Sequence, residues 1–245
     1  TTLFRSGSNR DEAGMGYALA APRMAADGIA TLRIDFMGNG DSTASYRDYN
    51  YTSAVIDAKA AADYLAGLET VDGGNLGVMG WSQGGTDALL AAEAHPDTFQ
   101  AVVTWSGALE LNGASLFAGT SFEDAYAQAK KEGFYTMTFD WREPLELGER
   151  WFQEAAETNI LKVTADIKAP ILAINGKDDT TVTPDNAEKI VKAAANADSQ
   201  LLLVDNCDHT YNVFSGDFTA LYQTVDATAA FFQAQLIPAA AQAAA

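Results

Sequence analysis

Gly77-Val-Met-Gly-Trp-Ser-Gln-Gly-Gly-Thr86 sets Ser82 between glycines two positions away on either side, directly after an apolar run and directly before "DALLAAEA". Leu76–Met79 reads as a strand that must turn at once into a helix beginning near Gln83. The residue at the apex of so tight a corner is held in a strained backbone conformation, and such strain is seldom kept without a use. Glycines at 80 and 84 let the strand and helix approach with no Cβ between them. Two readings stand at this point: a glycine-rich turn whose serine merely caps the helix, or a serine hydroxyl held out above a sheet for chemistry.

Working outward, short apolar runs alternate with segments of helical period, the pattern of a mostly parallel central sheet flanked by helices. Strands are expected at Ile29–Ile34, Leu76–Met79, Ala101–Trp105, Ile171–Ile174 and Leu201–Val204. Helices are expected at Met15–Ala26, Thr52–Leu68, Gln83–Ala94, Asp185–Ala195 and Phe218–Gln235. The strand runs are almost entirely apolar, as strands covered on both faces must be. The class is therefore α/β.

The rhythm breaks between Gly107 and Asp166, where no clear strand-helix unit is read. A connection of roughly sixty residues in a compact sheet protein is expected to be an insertion with structure of its own, such as a lid. It holds Phe117, Phe122, Tyr126, Phe134, Tyr135, Phe139, Trp141, Trp151 and Phe152. These aromatic rings suit either a pocket for an apolar group or a satellite core that packs the insertion down. The expected organisation is a core of residues 1–106 and 167–238, a cap insertion of 107–166 and a disordered tail at 239–245.

A serine nucleophile needs a base, because a neutral alcohol attacks poorly at pH 7, and histidine is the usual choice. The chain has 2 histidines. His95 closes the helix that follows the serine, just before Pro96, and a helix of that length carries it well over ~10 Å from Ser82. His209, in "LLLVDNCDHTYN", follows the last strand run and so lies at the carboxyl edge of the sheet, where ligand sites of open α/β sheets collect. A buried carboxylate should orient the imidazole. "ILAINGKDDTTVTP" offers two, Asp178 and Asp179, after a strand and a glycine turn.

The order Ser82, aspartate, His209 is that of the α/β-hydrolases. The pieces "RIDFMGNGDS" (33–42), "GWSQGG" (80–85), "INGKDDTTVTP" (174–184) and "DNCDHTYN" (205–212) resemble that superfamily, and within it the cinnamoyl or feruloyl esterase-like branch and related bacterial carboxylesterases and serine peptidases. The resemblance implies an α/β-hydrolase fold and the triad Ser82, Asp179 and His209, with Asp179 taken over Asp178 from the G-x-x-D turn. It also implies that the backbone N–H of Gln83 supplies one oxyanion donor. The second donor is left unassigned, a backbone N–H among residues Phe4 to Gly7 being the expected source. "SGSNRDE" resembles the distal half of the family's oxyanion loop without its His-Gly, and the strands the family places before that loop are expected to be missing. A cysteine at the elbow would have resembled dienelactone hydrolases, but Cys207 sits beside the histidine instead.

"FMGNGDS" is read as a tight turn on the rim of the site, since neither a P-loop lysine nor the rest of a dinucleotide fingerprint follows it. No cofactor and no metal are expected. With 15 basic and 33 acidic residues the net charge is −18, which disfavours nucleic acid and anionic membrane surfaces as partners. The single cysteine rules out an intrachain disulfide and fits the cytoplasm, with the periplasm or secretion open if a leader has been removed. The expected function is a serine carboxylic-ester hydrolase acting on small-molecule esters, with aromatic or short acyl groups as candidates. The rivals are a serine peptidase, in which Glu123 or Glu132 could meet a peptide amine, and a non-catalytic binding protein that keeps the fold.

Overall fold

The computed structural model describes residues 2–4, 16–111, 117, 119–140 and 143–237. Six strands form one parallel sheet: β1 (Thr2–Phe4), β2 (Leu32–Arg33), β3 (Leu76–Trp81), β4 (Phe99–Trp105), β7 (Ile171–Gly176) and β8 (Gln200–Val204). Their order is β2-β1-β3-β4-β7-β8. Direction of winding reverses at β1, so a crevice opens at the carboxyl ends of β1 and β3, the switch point where open α/β sheets bind ligands.

The apolar runs make sense strand by strand, because alternate residues feed opposite cores. Val78, Val102, Ile171 and Ala173 pack into the core beneath α2 (Tyr51–Ala66) and α3 (Gln83–Ala94). Met79, Val103, Leu172 and Ile174 pack into the other, beneath α1 (Gly16–Ala26) and α8 (Thr219–Leu236). Helix α7 (Asp185–Ala193) lies against β7 and β8. Capping fixes where helices begin: Asn50 and Ser53 form a reciprocal capping box at the start of α2.

One expectation needs correction: the strands ahead of "SGSNRDE" are not all missing, since Thr2–Phe4 is a strand held between β2 and β3 (Leu3↔Arg33, Phe4↔Gly80). Three residues carry too short a pattern to announce a strand; pairing on both sides makes one. The stretch 107–166, expected to be an insertion with structure of its own, shows regular elements among its described residues. It contains α4 (Phe122–Glu132), an antiparallel hairpin of β5 (Phe134–Met137) and β6 (Leu145–Gly148), α5 (Glu149–Glu157) and α6 (Ile160–Asp166). Helix α4 buries only Ala125 and Ala129, so its apolar stripe is too thin to read. Its ends are nevertheless well made, with Ser121 accepting from the Asp124 N–H and left-handed Gly133 (φ 86°) closing it. The tail at 239–245 and Trp141 lie outside the described residues.

Because β4 pairs directly with β7 (Val102↔Ile171 to Trp105↔Ile174), the described elements between them stand outside the central sheet. Its aromatic rings largely pack on one another. Phe152 stacks on Phe117 at 5.7 Å and on Tyr126 at 5.7 Å, and Trp151 meets Tyr51 of α2 at 6.3 Å. Phe117, Trp151 and Phe152 are fully buried, so these three form a satellite core continuous with the main one.

Candidate active site

Strand β3 ends at Trp81 and α3 begins at Gln83, leaving one residue to make the corner. Ser82 takes φ 56° and ψ −124°, outside the regions that side chains favour, at a cost of about 1–3 kcal/mol. A Cβ on Gly80 would lie 1.8 Å from the Gly84 carbonyl oxygen, so the close approach of strand and helix demands glycine there. The Ser82 side chain makes no helix-capping bond. The capping alternative therefore fails, and the hydroxyl turns elsewhere: its Oγ lies 3.1 Å from His209 Nε2. The corner is tied to its neighbour strand, since Ser82 N–H donates to the Trp105 carbonyl at 2.8 Å.

His209 is carried by the loop between β8 and α8. Asn206, Tyr211 and Asn212 in this loop all have positive φ (50°, 55° and 61°), so the chain is wound tightly around the imidazole. Asp208 organises the winding by accepting from the N–H groups of Thr210 and Asn212. From below, the Trp81 indole N–H donates to the His209 carbonyl at 3.0 Å, so the residue before the serine also anchors the histidine. His209 Nδ1 lies 2.9 Å from Asp179 Oδ2.

Asp179 is buried, whereas Asp178 is exposed and contributes its backbone N–H to the Cys207 carbonyl. The Asp179 carboxylate accepts from the N–H groups of Thr181 (2.9 Å) and Val182 (2.8 Å) and from Asn175 Nδ2 (3.3 Å). Burial pushes its carboxyl up. The hydrogen bond and charge of His209, the Val182 N–H and the Ser106 hydroxyl pull harder the other way, and the net displacement is below the ordinary carboxylate value. Asp179 is thus held as the anion that an imidazolium needs beside it. The Cys207 thiol, by contrast, is pushed up to about 12 by burial and by the carboxylates of Asp208, Asp179 and Asp178. It stays protonated and is no rival nucleophile.

Sequence reading missed Asn175 and Ser106. Asn175, fully buried at the end of β7, holds Asp179 and also donates to the Val182 carbonyl at 2.9 Å. Ser106, buried at φ 46°, lies 3.3 Å from the Tyr211 hydroxyl. A signal for both exists: they stand one position past the paired residues Ile174 and Trp105, in line with Ser82 past Trp81. His95 ends α3 as expected, its N–H donating to the Ala91 carbonyl.

Gln83 is the first residue of α3, and the first N–H groups of a helix have no partner within it. Of these, the Gly85 N–H donates to the Ser82 carbonyl at 2.9 Å. Phe4 pairs with Gly80, so β1 delivers the chain to the same edge, but Arg5, Ser6 and Gly7 lie outside the described residues. "FMGNGDS" is a tight turn, with Gly38 and Gly40 at φ 74° and 50°, the Ser42 hydroxyl accepting from the Gly38 N–H and the Met37 N–H donating to Asp57 of α2. Among the described residues no group of three His, Cys, Asp or Glu could hold a metal ion, and no helix is long and apolar enough to cross a membrane.

A parallel sheet with its switch point at β1, a glycine-walled serine elbow and a histidine loop after the last strand define an α/β-hydrolase. Residues 17–237 match the prolyl oligopeptidase family, and the chain belongs to it. Its fold is similar to that of Est1E from Butyrivibrio proteoclasticus, solved with ferulic acid bound (18% identity, 97% of this chain and 89% of that one, TM-score 0.72). It is also similar to a monoacylglycerol lipase from Paleococcus ferrophilus (17% identity, 96% and 93% covered, TM-score 0.72). DcsB, solved with a substrate analogue, superimposes with a TM-score of 0.76 at 16% identity, over 96% of this chain and 89% of that one.

Proposed function

We propose that this protein is a serine hydrolase of carboxylic esters that works through an acyl-enzyme. The observation that carries the reading is the hydrogen-bonded series Ser82 Oγ, His209 Nε2, His209 Nδ1 and Asp179 Oδ2, set at a strained corner. His209 takes the hydroxyl proton as Ser82 attacks the ester carbonyl, and Asp179 stabilises the imidazolium. The carbonyl oxygen gains its charge facing the Gln83 N–H. Collapse of the tetrahedral species expels the alcohol, which receives the proton from His209. A water then attacks the acyl-enzyme with His209 as base, the acid is released and Ser82 regains its proton.

Residues 107–166 act in this reading as a cap over the carboxyl edge. Feruloyl or cinnamoyl esters are the aromatic candidates, supported by likeness of fold to a ferulate-bound esterase. Membership of a peptidase family favours a second reading, hydrolysis of peptide or aminoacyl amides by the same residues.

The test is turnover by wild type and Ser82→Ala on short and medium p-nitrophenyl esters, methyl ferulate and aminoacyl amides. Serine-dependent ester turnover is the expected result, with the amide arm deciding for the second reading if it runs faster. A Ser82→Ala protein as active as wild type would end both.

A further inference from the structure

A second polar network lies on the opposite side of the elbow from the histidine, and the steps above do not use it. Gln83 and Asp87 occupy successive turns on one face of α3, and both side chains are buried. Between them reaches Tyr49, from the connection between β2 and α2. The Gln83 amide Nε2 donates to the Tyr49 hydroxyl oxygen at 3.2 Å, and the Tyr49 O–H donates to Asp87 Oδ2 at 2.8 Å. Tyr49 is fully buried and has little room to move, stacked on Tyr46 at 5.3 Å and tilted against Phe36 at 6.0 Å. Those two rings flank the "FMGNGDS" turn, where Gly38 passes so near Tyr46 that a Cβ would lie 2.4 Å from its Cα.

A carboxylate buried this deeply costs free energy even when hydrogen-bonded, so its place in the first turns of the nucleophile helix calls for a use. From this geometry we infer that Asp87 and Tyr49 are positioning residues for the oxyanion donor: they brace the Gln83 side chain and thereby fix the direction of its backbone N–H. The inference rests on the serine-hydrolase reading and deepens it. A donor of this kind is effective only when pre-aimed at the oxygen that gains charge, because reorganisation during the reaction removes the advantage. The Ser82–Gln83 peptide plane is held on its carbonyl side, where Ser82 accepts from the N–H groups of Gly85 at 2.9 Å and Ala108 at 3.3 Å; the side-chain brace adds a second hold from the Gln83 side. The polarity also fits. Tyr49 gives its proton to Asp87 Oδ2 and its lone pair to the Gln83 amide, so Asp87 fixes which way the phenol points.

The experiment follows the rate at which a fluorophosphonate probe, whose P=O oxygen occupies the oxyanion position, labels Ser82, together with kcat and KM on p-nitrophenyl acetate. The variants are Tyr49→Phe, Gln83→Met, their double, Asp87→Asn and Asp87→Leu. Tyr49→Phe and Gln83→Met are each expected to lower kcat and labelling rate by roughly tenfold, a part of the ~10²–10³ that a whole donor supplies, with KM little changed. The double variant should lose no more than either single one, because both cut the same brace. Asp87→Asn, which keeps an acceptor for the Tyr49 hydroxyl, should lose less than Asp87→Leu. If wild type labels at Ser82 while Gln83→Met and Tyr49→Phe label within twofold of it, the brace is refuted and the serine-hydrolase reading stands. If wild type does not label at Ser82, that reading falls and the brace with it. Gln83→Met retains every main-chain contact, so misfolding of Tyr49→Phe does not blunt the test.

Discussion

Ser82 and Ser106 stand side by side on paired strands, and the chain treats them almost alike. Each follows a tryptophan, Trp81 paired with Trp105, and each is held at positive φ, 56° and 46°. Each donates its N–H to the neighbouring strand, Ser82 to the Trp105 carbonyl and Ser106 to that of Ile174. Yet Ser82 is partly exposed with His209 at its hydroxyl, whereas Ser106 is sealed in and meets Tyr211. Strain and residue type therefore do not set the two apart; access and an aligned base do, and the proposed role of Ser82 as nucleophile rests on them.

The comparison breaks most sharply under substitution. Ser82→Ala should abolish ester turnover, by on the order of 10⁴-fold or more, leaving what binding and the oxyanion donors supply. Ser106→Ala should keep activity within about tenfold, because it only trims support behind Asp179. Steady-state kinetics on one ester measures both; comparable losses at the two positions would erase the distinction. Next in size is Asp179→Asn, expected to lower kcat by ~10³–10⁴-fold by leaving the imidazole in the wrong tautomer with no anion beside it. Asp178→Asn, one residue away and exposed, is the control that should change little.

A smaller effect concerns acid. The Asp179 carboxyl is held below its ordinary value in the fold, so it contributes stability above the unfolded value of about 3.9 and loses it as pH falls through the folded one. Melting temperature should therefore drop below about pH 4 in wild type and drop less steeply in Asp179→Asn. Equal acid slopes in calorimetry would show that Asp179 gains nothing from its partners. The Ser106–Tyr211 side adds no titration of its own there, since burial drives the Tyr211 hydroxyl far up, against the pull of its Ser106 bond.

The two serines also show what a sequence can carry. "GWSQGG" is legible because sterics demand glycines at fixed offsets, and because only two histidines compete for the base. Asp179 could be told from Asp178 only by resemblance; in the structure the choice is burial. The strands of the central sheet were readable from their continuous apolar runs, while β1 was too brief and the hairpin of β5 and β6 lay among aromatics that fit a pocket or a core equally well. Ser106, Tyr49 and Asp87 escaped for a common reason. Each acts through a partner distant in sequence, 105 positions for Ser106 and Tyr211 and 38 for Tyr49 and Asp87, and no local pattern announces such a pairing.

The most direct measurement is to treat the wild-type protein with a fluorophosphonate and locate the adduct by peptide mass spectrometry. The account predicts stoichiometric modification of Ser82, none of Ser106, and loss of labelling in His209→Ala. An adduct on another residue, or labelling of Ser82 that is indifferent to His209, would contradict the claim that these residues act as one nucleophile.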